Sequence, residues 1–529
     1  MKKFTLRQIL ILFCITLGIG AVAQKSQFEK LFRAANAIDF MYVDEVNADS
    51  LTTEAIIAML KTLDPHSSYS SPEETKELTQ PLDGKFSGIG VQFSIVKDTV
   101  YVVQTTIGGP SEKAGLRPGD RIVYVNDTLF THPKMANSEV LKTLRGPKGS
   151  KVKVKVKRGE QWIDFNLTRD DIPIYSVDDV YMVDPTTGYI QVSRFAESTP
   201  DEVEAAIKKL KAQGMKNLII DLENNGGGYL GAAFEMASQF LKPGDEVVST
   251  RGRTVPDRSY KVTSKYKNDD IERVIVMVNQ YSASASEIFA GAIQDHDRGV
   301  VVGRRTFGKG LVQSPIPLND GSMIRLTTSR YYMPSGRLIQ KEYAKGHSEE
   351  YQLDLLNRYE SGELFHQDSI KMDKSKVYHT LRNHRTVYGG GGIMPDVFVP
   401  LDTSMYSNYY RDLMAKGVIN TYTLNYIDKN RERIRAQYPT EEDFHTQFKV
   451  SQEIIDGLVK AGEDEGVPLN KEGLETSLPV LEGVIKGLMV RDIYDNGVYG
   501  RVTNTLNPVF NKAVELIHDP ATYNKILGN

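Results

Sequence analysis

Cysteine is almost absent: the 529-residue chain has one, Cys14. It sits in residues 9–23, an uncharged and mostly apolar run that follows Lys2, Lys3 and Arg7 and ends on Ala21-Val22-Ala23. That order reads as a cleavable export signal over 1–23. The run is shorter than the ~20 apolar residues that a membrane-spanning helix needs, and Phe13 before Cys14 does not suit lipid attachment. Cleavage leaves 529 − 23 = 506 residues and no cysteine. Disulfides, cysteine nucleophiles and thiolate metal sites are thereby excluded from the mature chain. The expected location is an oxidising one, a periplasm or cell envelope.

An excess of charge of one sign is also missing. With 65 basic and 68 acidic residues the net charge is -3, so nothing points to nucleic acid as a partner. What is present is an ordinary globular composition, 40% hydrophobic and 25% charged. The length exceeds what one core serves and predicts three or four domains.

Residues 24–83 read as helical, with Phe28, Leu31, Phe32, Ala35, Ile38 and Met41 at three- and four-residue spacing and a second run from Ala55 to Leu63 stopped by Asp64-Pro65. Residues 84–172 change to short strands separated by Gly/Pro/Asp turns, with one helix around 136–144. Residues 173–402 alternate strand and helix, which predicts an α/β layer with largely parallel strands. Residues 403–529 read as helical, with no cluster that suggests chemistry.

Three constellations carry the chemistry. In 274–287 a buried strand runs into the turn Ser282-Ala283-Ser284-Ala285-Ser286-Glu287 and then a helix. A hydroxyl there stands at the positive end of a helix beside free N–H groups, as a nucleophile that generates an oxyanion requires. The same letters also spell a capping box, so local physics does not choose among the serines or exclude a plain cap. In Asp221–Gly228 three glycines end a second strand and let a ligand approach the backbone closely; such a turn is also common as pure structure. Gly303–Lys309 matches seven positions of a phosphate loop, but the eighth, where Ser or Thr should hold magnesium, is Gly310. With nucleotide binding set aside, Lys309 fits a general base if its pKa falls by about 3 from about 10.4, roughly 4 kcal/mol, which burial supplies. His296 is twelve residues beyond Ser284; on one helix that is about 18 Å away, at the wrong end. Asp295 meets the same objection, and the remaining histidines, His66 among them, read as surface or packing residues.

Taken in order, Leu63–Tyr69, Phe86–Gly90, Glu112–Asp120, Asp221–Gly228, Ser282–Glu287, Gly308–Gly310, Arg330–Gly336 and Gly390–Asp396 resemble the C-terminal processing peptidases, or tail-specific proteases, across about residues 30–402. The resemblance implies a ClpP/crotonase-like α/β protease core at 173–402 with an inserted β-rich PDZ domain at 84–172 and helical N- and C-terminal regions. It implies Ser284 as nucleophile, Lys309 as base, Gln313 orienting that lysine, and the N–H groups of Gly228 and Ala285 as oxyanion donors, with no metal or organic cofactor. If the segment after Lys309 is helical or a tight loop, i,i+4 spacing sets Gln313 beside it. The PDZ resemblance implies that Gly88, Ile89, Gly90 and Val91 receive a C-terminal carboxylate, and that Ile89, Val91, Val140 and Leu141 line a pocket for an apolar last side chain. The partners implied are protein or peptide substrates with apolar C-termini. One departure stands out: family members usually carry arginine where this chain has Glu223.

Two rivals belong to other classes. One is an inactive PDZ-bearing binding or chaperone module on a protease scaffold, which the joint presence of Ser284, Lys309 and Gln313 opposes. The other is acyl-CoA chemistry on the same core, which export and the PDZ-like insertion oppose. Residues 403–529 are left to build an oligomer, dock an adaptor or shield the site.

Overall fold

The computed structural model describes residues 29–96, 98–106, 108–263, 268–494 and 498–528, so the export segment expected at 1–23 lies outside the described residues. The strand–helix alternation of 173–402 builds a six-stranded sheet in the order Val177–Asp184, Thr187–Val192, Asn217–Asp221, Arg273–Val278, Val300–Gly303, Val397–Phe398. The first pairing is antiparallel and the others parallel. The central strands are unbroken apolar runs because both of their faces are covered. Alternate side chains enter two different cores. Leu218, Ile220, Val274, Val276 and Val278 pack with the helices Thr199–Lys211, Leu230–Ser238 and Ala285–Asp295. Tyr189, Ile219, Ile275 and Met277 pack instead with Val509, Phe510, Ala513 and Ile517 of the helix Pro508–Ile517. The end of the C-terminal region is therefore a layer of the core. Its earlier part, from Asn408–Ala415 to Lys471–Ile493, has a core of its own around Leu413, Ile427, Leu458 and Ile485.

A second sheet runs beside the first. Its long strand Met323–Tyr332 pairs with Ser68–Ser70, Glu246–Gly252 and Leu311–Pro317, and Arg258–Lys261 adds beyond Glu246–Gly252. Here the helical reading of 24–83 needs correction. Helices occupy 29–41, Ala48–Lys61 and Pro72–Thr79, but Ser68–Ser70 is a strand. The chain that Asp64-Pro65 turns out of the helix has a sheet edge waiting for it.

Residues 91–168 form a separate sheet with the helix Asn137–Leu144 over it. In Lys151–Arg158 the valines 152, 154 and 156 alternate inward to meet Val140 and Leu144. Lys85–Gly88 and Asp170–Pro173 pair antiparallel, bringing the entering and leaving chain together as an insertion requires.

Candidate active site

The strand Arg273–Val278 ends in a turn that delivers three serines to the start of Ala285–Asp295. Two of them are spent on structure. Ser282 Oγ donates to the Leu222 carbonyl at 2.7 Å and Ser286 Oγ to the Asn225 carbonyl at 2.8 Å, both fully buried. Ser284 alone is partly open, and it lines a cavity of about 560 Å³. Its φ of 58° is a left-handed conformation that a serine adopts at a cost of about 1–3 kcal/mol. Strain of that kind points the side chain off the helix end and into the cavity.

The same cavity is lined by Gly226, Gly227, Gly228, Lys309 and Gln313. Gly227, at φ 101°, lies so close that a Cβ on it would stand 2.8 Å from Ser284 Cβ and 2.7 Å from the Ala283 carbonyl oxygen. Only glycine fits there. The N–H groups of Gly228 and Ala285 have no hydrogen-bond acceptor among the described residues, which leaves both available to a developing oxyanion.

Glu287 joins the two halves of the site. Fully buried, it accepts from Ser284 N–H at 2.8 Å and Lys309 N–H at 2.9 Å on one oxygen. Thr306 Oγ1 at 2.6 Å and Gly308 N–H at 2.7 Å donate to the other. Burial pushes its carboxyl up from the ordinary value against these bonds. Three of the four partners are N–H groups that can only donate, an arrangement that favours the carboxylate against that push. From the other side the buried Tyr331 hydroxyl reaches the carbonyls of Lys309 and, at 3.2 Å, Ser284. The backbones of both residues are thus held at N–H and at C=O by the same two side chains.

Lys309 is lowered to about 8, chiefly by desolvation and then by the Arg325 guanidinium, while Glu287 and Asp64 pull the other way. The fall is in the direction that a base requires. The phosphate-loop resemblance finds its explanation in the same contacts. The N–H groups of Gly308 and Lys309 go to Glu287, and that of Gly310 goes to Gln340 Oε1 at 2.7 Å. None is left for a phosphate.

Gln313 lies in the strand Leu311–Pro317, not in a helix or tight loop, so i,i+4 packing is not what brings it to the cavity. A bulge does: the register slips between Val312 and Gln313, leaving Gln313 opposite Thr327. Its Nε2 donates to the Leu311 carbonyl at 3.2 Å and to Thr327 Oγ1 at 3.3 Å.

His66 does not belong with the unremarkable histidines. Its Nε2 is 2.9 Å from the Tyr351 hydroxyl, and burial, then the Lys309 charge, lower it to about 4. It is a neutral wall beside the lysine. The motif Leu63–Tyr69 held this information, but periodicity reads only its helix stop. His296 closes its helix and bonds the Glu246 carbonyl at 2.7 Å, away from the serine.

Glu223 acquires a partner from the C-terminal region: Asn507 Nδ2 donates to it at 2.6 Å, with Arg304 Nη2 at 3.5 Å on its other oxygen. In the inserted domain Ile89 and Val140 are buried in the core, whereas Val91 and Leu141 are half-buried. Gly88 pairs with Asp170, and Gly90 has φ 72°. The domain touches the cavity wall through Arg145, which lies over the Phe86 ring at 4.4 Å and donates to Gln80 Oε1 at 3.1 Å, next to the cavity residues Leu78 and Thr79.

Residues 186–349 match peptidase family S41, residues 87–168 match the PDZ domain, and residues 409–495 match a family of unknown function. A carboxy-terminal-processing protease of Bartonella bacilliformis is 35% identical over 323 residues, 60% of this chain and 73% of that protein. The carboxy-terminal processing protease CtpB of Bacillus subtilis is 29% identical over 82% of this chain and 92% of its own length. A probable CtpA-like serine protease of Staphylococcus epidermidis is 34% identical over 60% of this chain, and the matched region spans 64% of that relative. Among solved structures the photosystem II D1 C-terminal processing protease is 30% identical over 58% of this chain and 89% of its own, at a TM-score of 0.33, too partial a likeness to argue from. On the strength of the sequence relatives, the chain belongs to the carboxy-terminal-processing proteases of peptidase family S41 and carries a PDZ domain.

Proposed function

We propose that the chain is a serine endopeptidase that cuts protein substrates near their C-termini through Ser284 and Lys309. The observation that carries this reading is a single one: Ser284 and the depressed Lys309 open on one cavity with their backbones tied to the same carboxylate.

Ser284 Oγ attacks the scissile carbonyl carbon as neutral Lys309 takes its proton. The oxyanion is met by Gly228 and Ala285 N–H. Collapse breaks the C–N bond, and the Lys309 ammonium returns the proton to the leaving amine. Water, deprotonated by the same lysine, then attacks the ester, releases the new carboxyl end and restores Ser284. Gln313 orients Lys309. The PDZ domain receives the substrate's C-terminus, and its Arg145–Gln80 contact gives it a direct line to the cavity wall. The apolar cavity residues Leu78, Leu230, Ile288, Leu311 and Met323 favour an apolar side chain at the cleaved bond.

We further propose export to the periplasm or cell envelope, on the basic-then-apolar order of 1–23. A ClpP/crotonase-like description of the core is supported by its mostly parallel sheet between helical layers. The test is hydrolysis of an unstructured substrate with an apolar C-terminus. Ser284→Ala and Lys309→Ala are each expected to abolish it. Parent-like cutting by both would overturn the mechanism, and a parent protein that binds such peptides without cutting them would make the chain a binding module.

A further inference from the structure

Asp64, in the turn after the helix Ala48–Lys61, sits behind the catalytic cavity and accepts four hydrogen bonds. Its Oδ1 takes the N–H groups of His66 at 2.9 Å and Ser67 at 3.0 Å and the Thr327 hydroxyl at 2.9 Å. Its Oδ2 takes the Ser67 hydroxyl at 2.6 Å. Ser67 Oγ in turn accepts the Thr327 N–H at 3.1 Å. Thr327 is therefore held by both its backbone and its side chain, directly across the sheet from Gln313.

The polarity of this chain is determined. These bonds hold the Asp64 carboxyl below its ordinary value although burial opposes them, so it is ionised and can only accept. Thr327 has one hydroxyl hydrogen, and Asp64 takes it. Toward Gln313 the Thr327 oxygen has only lone pairs to offer, as has the Leu311 carbonyl. Both neighbours accept, so the amide end facing them must be the NH₂ group. The Gln313 oxygen, which accepts no hydrogen bond among the described residues, is left to the cavity that Gln313 shares with Lys309 and Ser284.

We infer that Asp64 and Thr327 are positioning residues that fix the Gln313 amide with its oxygen toward Lys309, so that the lysine lone pair is left free for the serine proton. The inference rests on the proposed roles of Lys309 and Gln313. Without the Thr327 hydroxyl the Leu311 carbonyl alone holds the NH₂ group, and the amide turns more readily. Its NH₂ would then donate to the lysine nitrogen, occupying the lone pair that the reaction needs and disfavouring the ammonium form. The charged groups that face Lys309, namely Arg325, Glu287, Asp64 and any His66 cation, are unchanged by that turn.

The test compares full-length Thr327→Val and Thr327→Ser with the parent in the pH dependence of peptide hydrolysis. For Thr327→Val, kcat falls about tenfold or more with KM little changed, while the acid limb of kcat/KM moves to lower pH. A rate loss joined to a limb that moves toward greater deprotonation is not the signature of a loosened fold. Thr327→Ser restores both, and melting curves show that each variant is folded at the assay temperature. Parent-like kcat and limb in Thr327→Val overturn the inference. So does a rate loss with an unmoved limb that serine does not rescue, which would mean a packing role only. Lys309→Ala separates the two readings: if it still cuts, the base assignment fails, and if it is dead while Thr327→Val is parent-like, only the positioning role fails.

Discussion

Glu287→Gln probes the group that ties the proposed nucleophile to the proposed base, through the contacts it makes with both. The side chain keeps its shape but exchanges one oxygen for an NH₂ group. With that group toward Ser284 and Lys309, two buried N–H donors would lose their acceptor. Turned toward Thr306 and Gly308 it orphans only the Gly308 N–H, because the Thr306 hydroxyl can rotate to accept. The second orientation wins. It costs about 1–3 kcal/mol for the orphaned donor, and the bonds to Ser284 and Lys309 fall from charge-assisted to neutral, about 1 kcal/mol each. The total of about 3–5 kcal/mol divides between folding and the transition state. If about 1.4–2.8 kcal/mol falls on the latter, kcat drops about 10- to 100-fold.

The charge effect has a definite sign. Glu287 raises Lys309 from where burial and Arg325 would leave it, so its neutralisation lowers the lysine further. The acid limb of kcat/KM, expected near 8 in the parent, moves down while the plateau falls. The assay is hydrolysis of an unstructured peptide with an apolar C-terminus from about pH 6 to 10, paired with a melting curve. A limb that moves up, or a plateau and limb equal to the parent's, would refute the reasoning.

Three further outcomes are expected. Gly227→Ala places a Cβ 2.8 Å from Ser284 Cβ at φ 101°; activity should fall at least 100-fold, and a denaturant midpoint should report about 1–3 kcal/mol of strain. Phe510→Ala removes a buried ring 5.5 Å from Tyr189 and should destabilise the core by about 3–5 kcal/mol in urea unfolding, although Phe510 is far along the chain from the protease motifs. Burial raises Asp179 to about 6, and its carboxylate accepts the Gly500 N–H at 2.9 Å. The stability it lends is whole below its unfolded value of about 3.9 and is lost as the pH rises through about 6. Urea midpoints of Asp179→Asn should therefore lack part of the parent's decline between about pH 4 and 6; the difference isolates it from His66, whose lowered value acts in the opposite sense.

The backbone pattern was largely legible in the chain. The helix read around 136–144 is found at Asn137–Leu144, and the strand–helix alternation of 173–402 builds the mostly parallel sheet. Those segments carry strong local signals, unbroken apolar runs between covered faces or period-two alternation on one face. The failures came where a long-range partner overrides the local signal. Ser68–Ser70 is extended because a strand more than 250 residues away offers its edge, and Gln313 is aimed by a bulge that no spacing rule contains.

The sequence by itself determined the family motifs, the confinement of cysteine to position 14, and the exclusion of His296 by helix length. Tertiary structure decided the rest. Three serines within five residues are equivalent to any local rule, and only the carbonyls of Leu222 and Asn225, brought from another strand end, spend two of them and leave Ser284. Glu287 reads as an ordinary cap until the Thr306–Lys309 segment folds onto it. Which serine opens on the cavity, and which lysine shares it, depends on hydrogen-bond partners distant in the chain, and those exist only once it has folded.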